Sequence, residues 1–367
     1  MSTSSLRPLV IRFGRLGDTL LLQPLLRRLH ARYGQPCQLF AIGKYSIELY
    51  RGQPDMADVI ALKAHHRPFL LSPEQWRAVH ALRAMRQVPV YVCEPQPRSL
   101  ARIRLLLKLA GIPDNHCVFL NDIPLQPGEH WIEHLLQLAD TTPAAFRASF
   151  GDVARATAAM PELLVSAQER AECDRWLVRR ELFGHPLVLF QPANKRTIRW
   201  NGVRAASDDD KQWPIAHWAR VASAIHAQLP NARILLCGAP NEAAYLEGIR
   251  QGMAQPGVEV VATELPLPRL KALLAIAHSM ISVDTGPAHI AAAMGCPLVV
   301  MFGSVSPAHW TPRGRTPDAV HVLGGPPFNR VDAIAPDEVI DAWHGLPART
   351  SLVRQAEAVS ASAQTRV

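Results

Sequence analysis

Short, mostly apolar runs alternate along the chain with stretches in which apolar residues recur every three or four positions, and the alternation starts twice. The first series has runs at Leu9–Phe13, Gln38–Ala41, Val59–Leu62 and Val88–Cys93, with helical patterns over Leu21–Leu29, Trp76–Met85 and Ser99–Ala110. Apolar runs suit strands buried on both faces of a parallel sheet, and the wider spacing suits helices laid against it. Leu135–Leu138 and the stretch opening at Thr142-Pro143 read as further helix, before a variable stretch up to Pro161. After a helical pattern over Gln168–Phe183, the alternation restarts with runs at Pro186–Phe190, Ala232–Cys237, Val258–Val261, Ile281–Val283 and Leu298–Phe302. The restart predicts two α/β domains, 1–165 and 166–345, each large enough for its own core. Residues 346–367 carry Ala, Ser, Gln and Arg without a sustained pattern and are expected to be a flexible tail.

One junction concentrates polar chemistry. The run ending at Val283 is followed by Asp284, Thr285, Gly286 and Pro287, then by an alanine-rich helix bearing His289. Thr285 or Gly286 can cap that helix, Pro287 fits its first position, and Gly295 with Pro297 ends it. Its N-terminus then points free N–H groups at the carboxyl edge of the sheet, where anions bind in open α/β folds. A plain βαβ crossover with a well-capped helix accounts for the same residues.

The first strand leads into Gly14-Arg-Leu-Gly-Asp18, whose glycines permit a tight turn but lack the spacing of a dinucleotide fingerprint. Asp18 has two readings, as the N-cap of the following helix or as a carboxylate held at the sheet edge. Pro24 either kinks that helix or marks its true start. In the second half, Gly238–Glu242 turns into a helix, and a long segment, Asn194–Asp210, precedes the helix starting near Pro214. Loops of that length are uncommon unless functional or mobile.

Composition narrows the class. With 48% hydrophobic and 19% charged residues the chain is globular. Six scattered cysteines without a C-x-x-C pair argue for reduced, mostly buried thiols rather than zinc or disulfides. No metal site is expected, and the acidic run Asp208–Asp210 reads as a solvated loop. No apolar run approaches the roughly 20 residues of a membrane span, and the first residues lack a signal-peptide core, so a cytoplasmic protein is expected. Of the net charge of +8, residues 1–150 supply 18 Lys and Arg against 11 Asp and Glu, the remainder 21 against 20. A basic first half favours an anionic partner: nucleic acid, a membrane surface or an acidic acceptor. Arg98, Arg102, Arg104 and Lys108 share faces of one helix, which is also what a merely solvated face looks like.

Three motifs carry a resemblance. Asp284-Thr-Gly-Pro-Ala-His-Ile-Ala-Ala-Ala-Met-Gly-Cys-Pro-Leu-Val-Val-Met-Phe-Gly303, continuing to Pro312, closely resembles the C-terminal signature of family 9 glycosyltransferases, the ADP-heptose:lipopolysaccharide heptosyltransferases. Ile11-Arg-Phe-Gly-Arg-Leu-Gly-Asp-Thr-Leu-Leu-Leu-Gln-Pro24 is similar to the family's N-terminal signature, and Asp210-Lys-Gln-Trp-Pro-Ile-Ala-His-Trp218 resembles its Lys-x-Trp-Pro segment. The resemblance implies a GT-B fold, two Rossmann-like domains facing across a cleft, with acceptor in the first and nucleotide sugar in the second. It implies Asp18 as general base, Lys211 on the donor phosphates, and Asp284, Thr285, Gly286 and His289 lining the donor site, with Glu242 as the candidate for the ribose. The alternative for His289 is a helix-start histidine facing solvent. No cofactor is implied beyond the co-substrate, ADP-heptose.

The chemistry agrees with those residue types. An inverting transfer needs one carboxylate to take the acceptor's proton and positive charge or N–H donors to stabilise the departing diphosphate. An inner-core lipopolysaccharide acceptor carries carboxylates and phosphates, so Arg15, His65, His66, Arg67, Arg98 and Arg102 are candidates to bind it, with a peripheral contact at the inner-membrane surface. The Asn194–Asp210 insertion and the tail depart from the family pattern. Competing readings are a family member with another donor sugar, or with a capsule, O-antigen or protein acceptor, and a sugar-nucleotide epimerase. A nucleic-acid-binding protein is disfavoured because Arg98–Lys108 lacks interleaved aromatics.

Overall fold

The computed structural model describes residues 6–63, 72–151, 153, 160–199 and 202–349. The chain divides into two compact units, one running to Leu164 and including Ala308–Thr311, the other comprising the rest.

In the first unit the strands are β1 (Leu9–Arg12), β2 (Cys37–Ile42), β3 (Met56–Leu62), β4 (Val90–Val92) and β5 (Cys117–Phe119). They form one parallel sheet in the order β3-β2-β1-β4-β5. Its helices are α1 (Leu16–Leu20), α2 (Gln23–Tyr33), α3 (Lys44–Tyr50), α4 (Pro73–Arg83), α5 (Pro97–Ala110), α6 (Trp131–Asp140) and α7 (Arg147–Phe150). Pro24 marks a true start: it sits in the first turn of α2, where its missing N–H costs no helical bond. The stretch from Leu16 to Tyr33 is therefore two helices rather than one kinked helix. Leu9, Ile11, Phe40, Val90 and Val92 meet Leu82, Ile103 and Leu106 in one core between the sheet and α4–α5.

The second unit opens with α8 (Ala167–Arg179) and β6 (Leu187–Gln191), followed by the short antiparallel pair β7 (Ile198–Arg199) and β8 (Gly202–Val203). Then come α9 (Ile215–Gln228), β9 (Arg233–Leu236), α10 (Ala243–Met253), β10 (Val258–Val260), α11 (Leu267–Leu274) and β11 (Ser279–Val283). The unit is completed by α12 (Gly286–Ala293), β12 (Leu298–Phe302), β13 (Val320–Gly324) and α14 (Pro336–His344); the one-turn α13 (Pro307–Trp310), which lies between β12 and β13 in the chain, belongs from Ala308 onward to the first unit. Its main sheet is parallel in the order β10-β9-β6-β11-β12-β13. Every residue of β6, β11 and β12 is buried, as their largely apolar sequences predict for strands covered on both faces.

Both sheets have the doubly wound order in which strand sequence reverses beside the first strand. The reversal lies between β1 and β4 in one unit and between β6 and β11 in the other. Loops leaving the carboxyl ends of such strand pairs diverge and open a crevice, the usual ligand position of open α/β sheets. The loops leaving these four strands hold Phe13–Arg15, Cys93–Gln96, Pro192–Asn194 and Asp284–Thr285, and two of them, Phe13–Arg15 and Asp284–Thr285, fall in stretches that the motifs single out.

Residues 350–367, most of the expected tail, lie outside the described residues. The part that is described is anchored: the half-buried Arg349 donates to the carbonyls of Leu274, Ala277 and Met294. All six cysteines are free, and all but Cys117 are buried. Burial pushes the thiols of Cys93 and Cys296 up to about 12, so they are protonated packing groups.

Candidate active site

In the first unit, β1 ends on a buried charge. Arg12 is 4% exposed, an expensive place for a guanidinium unless its donors are used. Its Nη1 donates to Cys93 O at 3.0 Å and lies 3.6 Å from Glu94 Oε2, while its Nη2 lies 3.1 Å from Asp18 Oδ1. Glu94 is itself 1% exposed, and its two oxygens accept the backbone N–H groups of Phe13 and Gln96, each at 3.0 Å. One carboxylate thus ties together the loops leaving β1 and β4.

Asp18 is not the N-cap of α1; Arg15 occupies that position and Asp18 the third residue of the helix. Its Oδ2 reaches back to accept Arg15 N at 2.8 Å, so the side chain closes the first turn rather than preceding it. Gly14 makes this possible, because a Cβ there would stand 2.6 Å from both Arg12 Nε and Asp18 Cβ. Tyr45 donates its hydroxyl to Gly14 O at 2.5 Å, and burial followed by the Asp18 carboxylate pushes its phenol up to about 12. Asp18 keeps 23% of its side chain exposed, unlike its partners Arg12 and Glu94.

Among the basic candidates, Arg15 is exposed beside Asp18. Arg98 is exposed in the first turn of α5, directly after the Glu94 loop, and Arg102 is half-buried one turn further along. Arg104 stacks its guanidinium 3.8 Å from the Phe119 ring centroid. His65, His66 and Arg67 lie outside the described residues.

In the second unit, the loop leaving β11 meets the end of the long insertion. Lys211 Nζ lies 2.5 Å from Asp284 Oδ2 and 2.8 Å from Asp284 O, with both side chains nearly buried at 13% and 12% exposure. Thr285 stands at the N-cap of α12 but does not cap it with its side chain; its hydroxyl pairs with Ser282 Oγ at 3.1 Å. Gly286 and Pro287 open the helix, whose remaining residues, Ala288–Ala293, are all buried. His289 is 6% exposed, which rules out a solvent-facing side chain, and its Nε2 lies 4.0 Å from Asp284 Oδ1. Lys211, Asp284, Thr285, Gly286 and His289 are therefore brought together at one helix N-terminus.

Glu242 lies in the loop leaving β9, which β6 separates from β11 in the sheet. It is 6% exposed, and its Oε2 accepts Ala239 N at 2.7 Å, closing the turn that leads into α10. Burial raises its carboxyl pKa, and the Ala239 N–H offsets only part of that.

The sequence reading missed several residues of these sites. Asp208–Asp210 is not simply a solvated loop: Asp208 is exposed, but Asp209 is 1% exposed and Asp210 half-buried. Asp209 accepts from Asn194 Nδ2, Thr197 Oγ1 and Lys211 N, so the insertion is closed on itself at its base. Arg12 and Glu94 were legible as charged residues at the ends of otherwise apolar strands, a pattern that marks a sheet edge. Among the described residues no cluster of His, Cys, Asp and Glu has the makings of a metal site.

Residues 126–327 match the model of glycosyltransferase family 9 (heptosyltransferase), over half of the chain. The chain belongs to glycosyltransferase family 9. This family 9 enzyme is 32% identical over 141 residues to lipopolysaccharide heptosyltransferase 3 of Escherichia coli, a match spanning 37% of each protein. It is 24% identical over 331 residues to lipopolysaccharide heptosyltransferase 2 of the same species, spanning 86% of this chain and 88% of the relative. The solved structure of the E. coli ADP-heptose lipopolysaccharide heptosyltransferase II matches with a TM-score of 0.67 at 21% identity, covering 92% of this chain and 97% of that one. The likeness in fold makes the family 9 enzyme a GT-B protein of two Rossmann-like units. The family match includes the Lys211–Asp284 cluster and leaves Asp18 outside its range.

Proposed function

We propose that this family 9 glycosyltransferase is inverting and metal-independent, and moves a heptose from ADP-heptose to a lipopolysaccharide inner-core or related anionic glycan. The observation that carries the reading is the Lys211 ammonium held beside Asp284 at the uncapped N-terminus of α12. A helix N-terminus with a fixed cation is a diphosphate site in its chemistry: aligned N–H groups and a full positive charge oppose the charge that develops on the leaving group. Those groups take the role that a divalent cation has in other transferases.

The step divides between the two half-sites. Asp18 takes the proton of an acceptor hydroxyl; that oxygen forms a bond to the anomeric carbon as the bond from this carbon to the diphosphate oxygen breaks, and ADP departs with the electron pair. A general base of this kind contributes about 10²–10⁴-fold. Glu242 is proposed to bind the donor's ribose, and His289 to hydrogen-bond its phosphates. Arg15, Arg98 and Arg102 are proposed to face an acidic acceptor, and the excess positive charge of residues 1–150 would speed its approach. A cytoplasmic enzyme meeting a glycolipid acceptor at a membrane surface fits this reading.

The test is thermal stabilisation of the purified protein by a panel of nucleotides and nucleotide sugars, because a ligand bound only by the folded state raises the melting temperature. ADP and ADP-heptose are expected to stabilise it most. Stronger stabilisation by UDP or GDP sugars would overturn the donor assignment and leave the family intact.

A further inference from the structure

Three consecutive residues at the end of the insertion reach to three different strand ends. Asp209 is tied to the loop leaving β6, through Asn194 Nδ2 at 3.0 and 3.2 Å and Thr197 Oγ1 at 3.2 Å. Asp210 is tied to the loop leaving β12: its Oδ2 accepts Ser304 N at 2.9 Å and Ser304 Oγ at 2.6 Å. Lys211 is tied to the loop leaving β11, through Asp284. The fit around Asp210 is close, since a Cβ at Gly303 would stand 2.7 Å from both Asp210 O and Asp210 Oδ2.

The links converge on Lys211. Asp209 Oδ1 accepts the backbone N–H of Lys211 at 3.1 Å, and Asp210 O accepts Val331 N at 2.9 Å, so the chain is held on both sides of the peptide that carries the lysine. Asp209 is 1% exposed and uses both oxygens, an arrangement a buried carboxylate needs and a solvated loop does not. Burial raises the Asp210 carboxyl pKa, but the Ser304 hydroxyl and N–H, with Lys211 and Arg196 nearby, outweigh it and hold the group below its ordinary value. A lysine on a free loop loses rotamer and backbone freedom when it binds an anion; here the backbone part is already fixed.

We propose that Asp209 and Asp210 are positioning residues for the donor reaction: they fix the backbone of Lys211 so that its ammonium meets the donor diphosphate at the N-terminus of α12. They thereby make the base of the Asn194–Asp210 insertion a working part of the donor site. The inference rests on the proposed phosphate role of Lys211.

The experiment is a double-mutant cycle read by calorimetric titration with ADP, supported by thermal shifts at millimolar ADP. The proteins are the natural chain, Lys211→Ala, Asp209→Asn, Asp210→Asn and each Asp variant combined with Lys211→Ala. Residues acting through one another are non-additive, whereas independent effects on the fold add. Each Asp variant is expected to weaken ADP binding about tenfold in the natural background and less than about twofold when Lys211 is already alanine. The donor KM should rise in the natural background with a smaller change in kcat. Equal losses in both backgrounds, or unchanged ADP binding by folded Asp variants, would overturn the proposal. Unchanged ADP binding by Lys211→Ala alone would instead remove the phosphate role on which it rests. Should Asp209→Asn fail to fold, the Asp210→Asn cycle decides.

Discussion

The guanidinium of Arg12 lies 3.1 Å from Asp18 Oδ1 and, through its other nitrogen, 3.6 Å from Glu94 Oε2. The carboxylate proposed as general base is thus held from the last residue of the strand that precedes it, and the opposite side of that arginine is fixed by a carboxylate from the loop leaving the adjacent strand β4.

Removing Arg12 has two separable costs. Arg12→Ala leaves Glu94 buried with no guanidinium beside it, and breaking a buried pair from one side costs about 3–5 kcal/mol. Urea unfolding should show a loss of this size, with part of it restored in Arg12→Met combined with Glu94→Gln. Asp18 would also lose its lateral support, so turnover should fall while the affinity for ADP is kept.

Glu242 gives a pH signature. Its folded pKa is raised, so it favours the folded state most below the ordinary carboxyl pKa of about 4.3, and that contribution is lost as pH rises through the folded value. Glu242→Gln keeps an acceptor for Ala239 N and abolishes the titration. The melting temperature of the variant, relative to the natural protein, should therefore improve between acid and neutral pH. If Glu242 holds the donor ribose, the same variant weakens ADP binding despite its stability.

Asp210 has the opposite sign. Its folded pKa is lowered, so its contribution is present above the ordinary value of about 3.9 and lost as pH falls through the folded value. Asp210→Asn should be less stable than the natural protein near neutral pH, and the gap should narrow on acidification below about pH 4. Thermal melts across that range check it; a gap that stays constant would contradict the ionic account of the Ser304 contact.

Much of this is legible in the sequence. Buried parallel strands such as β6, β11 and β12 announce themselves as mostly apolar runs without a polar alternation, and the Pro287 and Gly295 signals bracket α12 within a residue or two. Elements without such contrast were missed: β5 is three residues long, and β13 is half-buried along its whole length. The Lys211–Asp284 pair was visible only as two members of one motif set, because contacts across 73 residues leave no local pattern. Asp209 was misread for the same reason. An acidic triplet looks solvated, and only its long-range donors, Asn194 and Thr197, make burial of its middle member tolerable. The N-cap reading of Asp18 stands three positions from the observed one, because its capping partner, Arg15 N, is reached backwards from within the helix.

Lys211→Ala tests the donor half. A charge-assisted contact to phosphate is worth about 1.5–3 kcal/mol, so ADP binding should weaken by roughly 10–100-fold. The acceptor KM should change little.

The proton-accepting role of Asp18 is tested by Asp18→Asn assayed for sugar transfer and, on the same preparation, for ADP binding. A fall in kcat of about 10²–10⁴-fold is expected with the ADP dissociation constant unchanged, because a general base acts on the acceptor hydroxyl and not on the nucleotide. Transfer at the natural rate by a protein that still binds ADP would contradict that role.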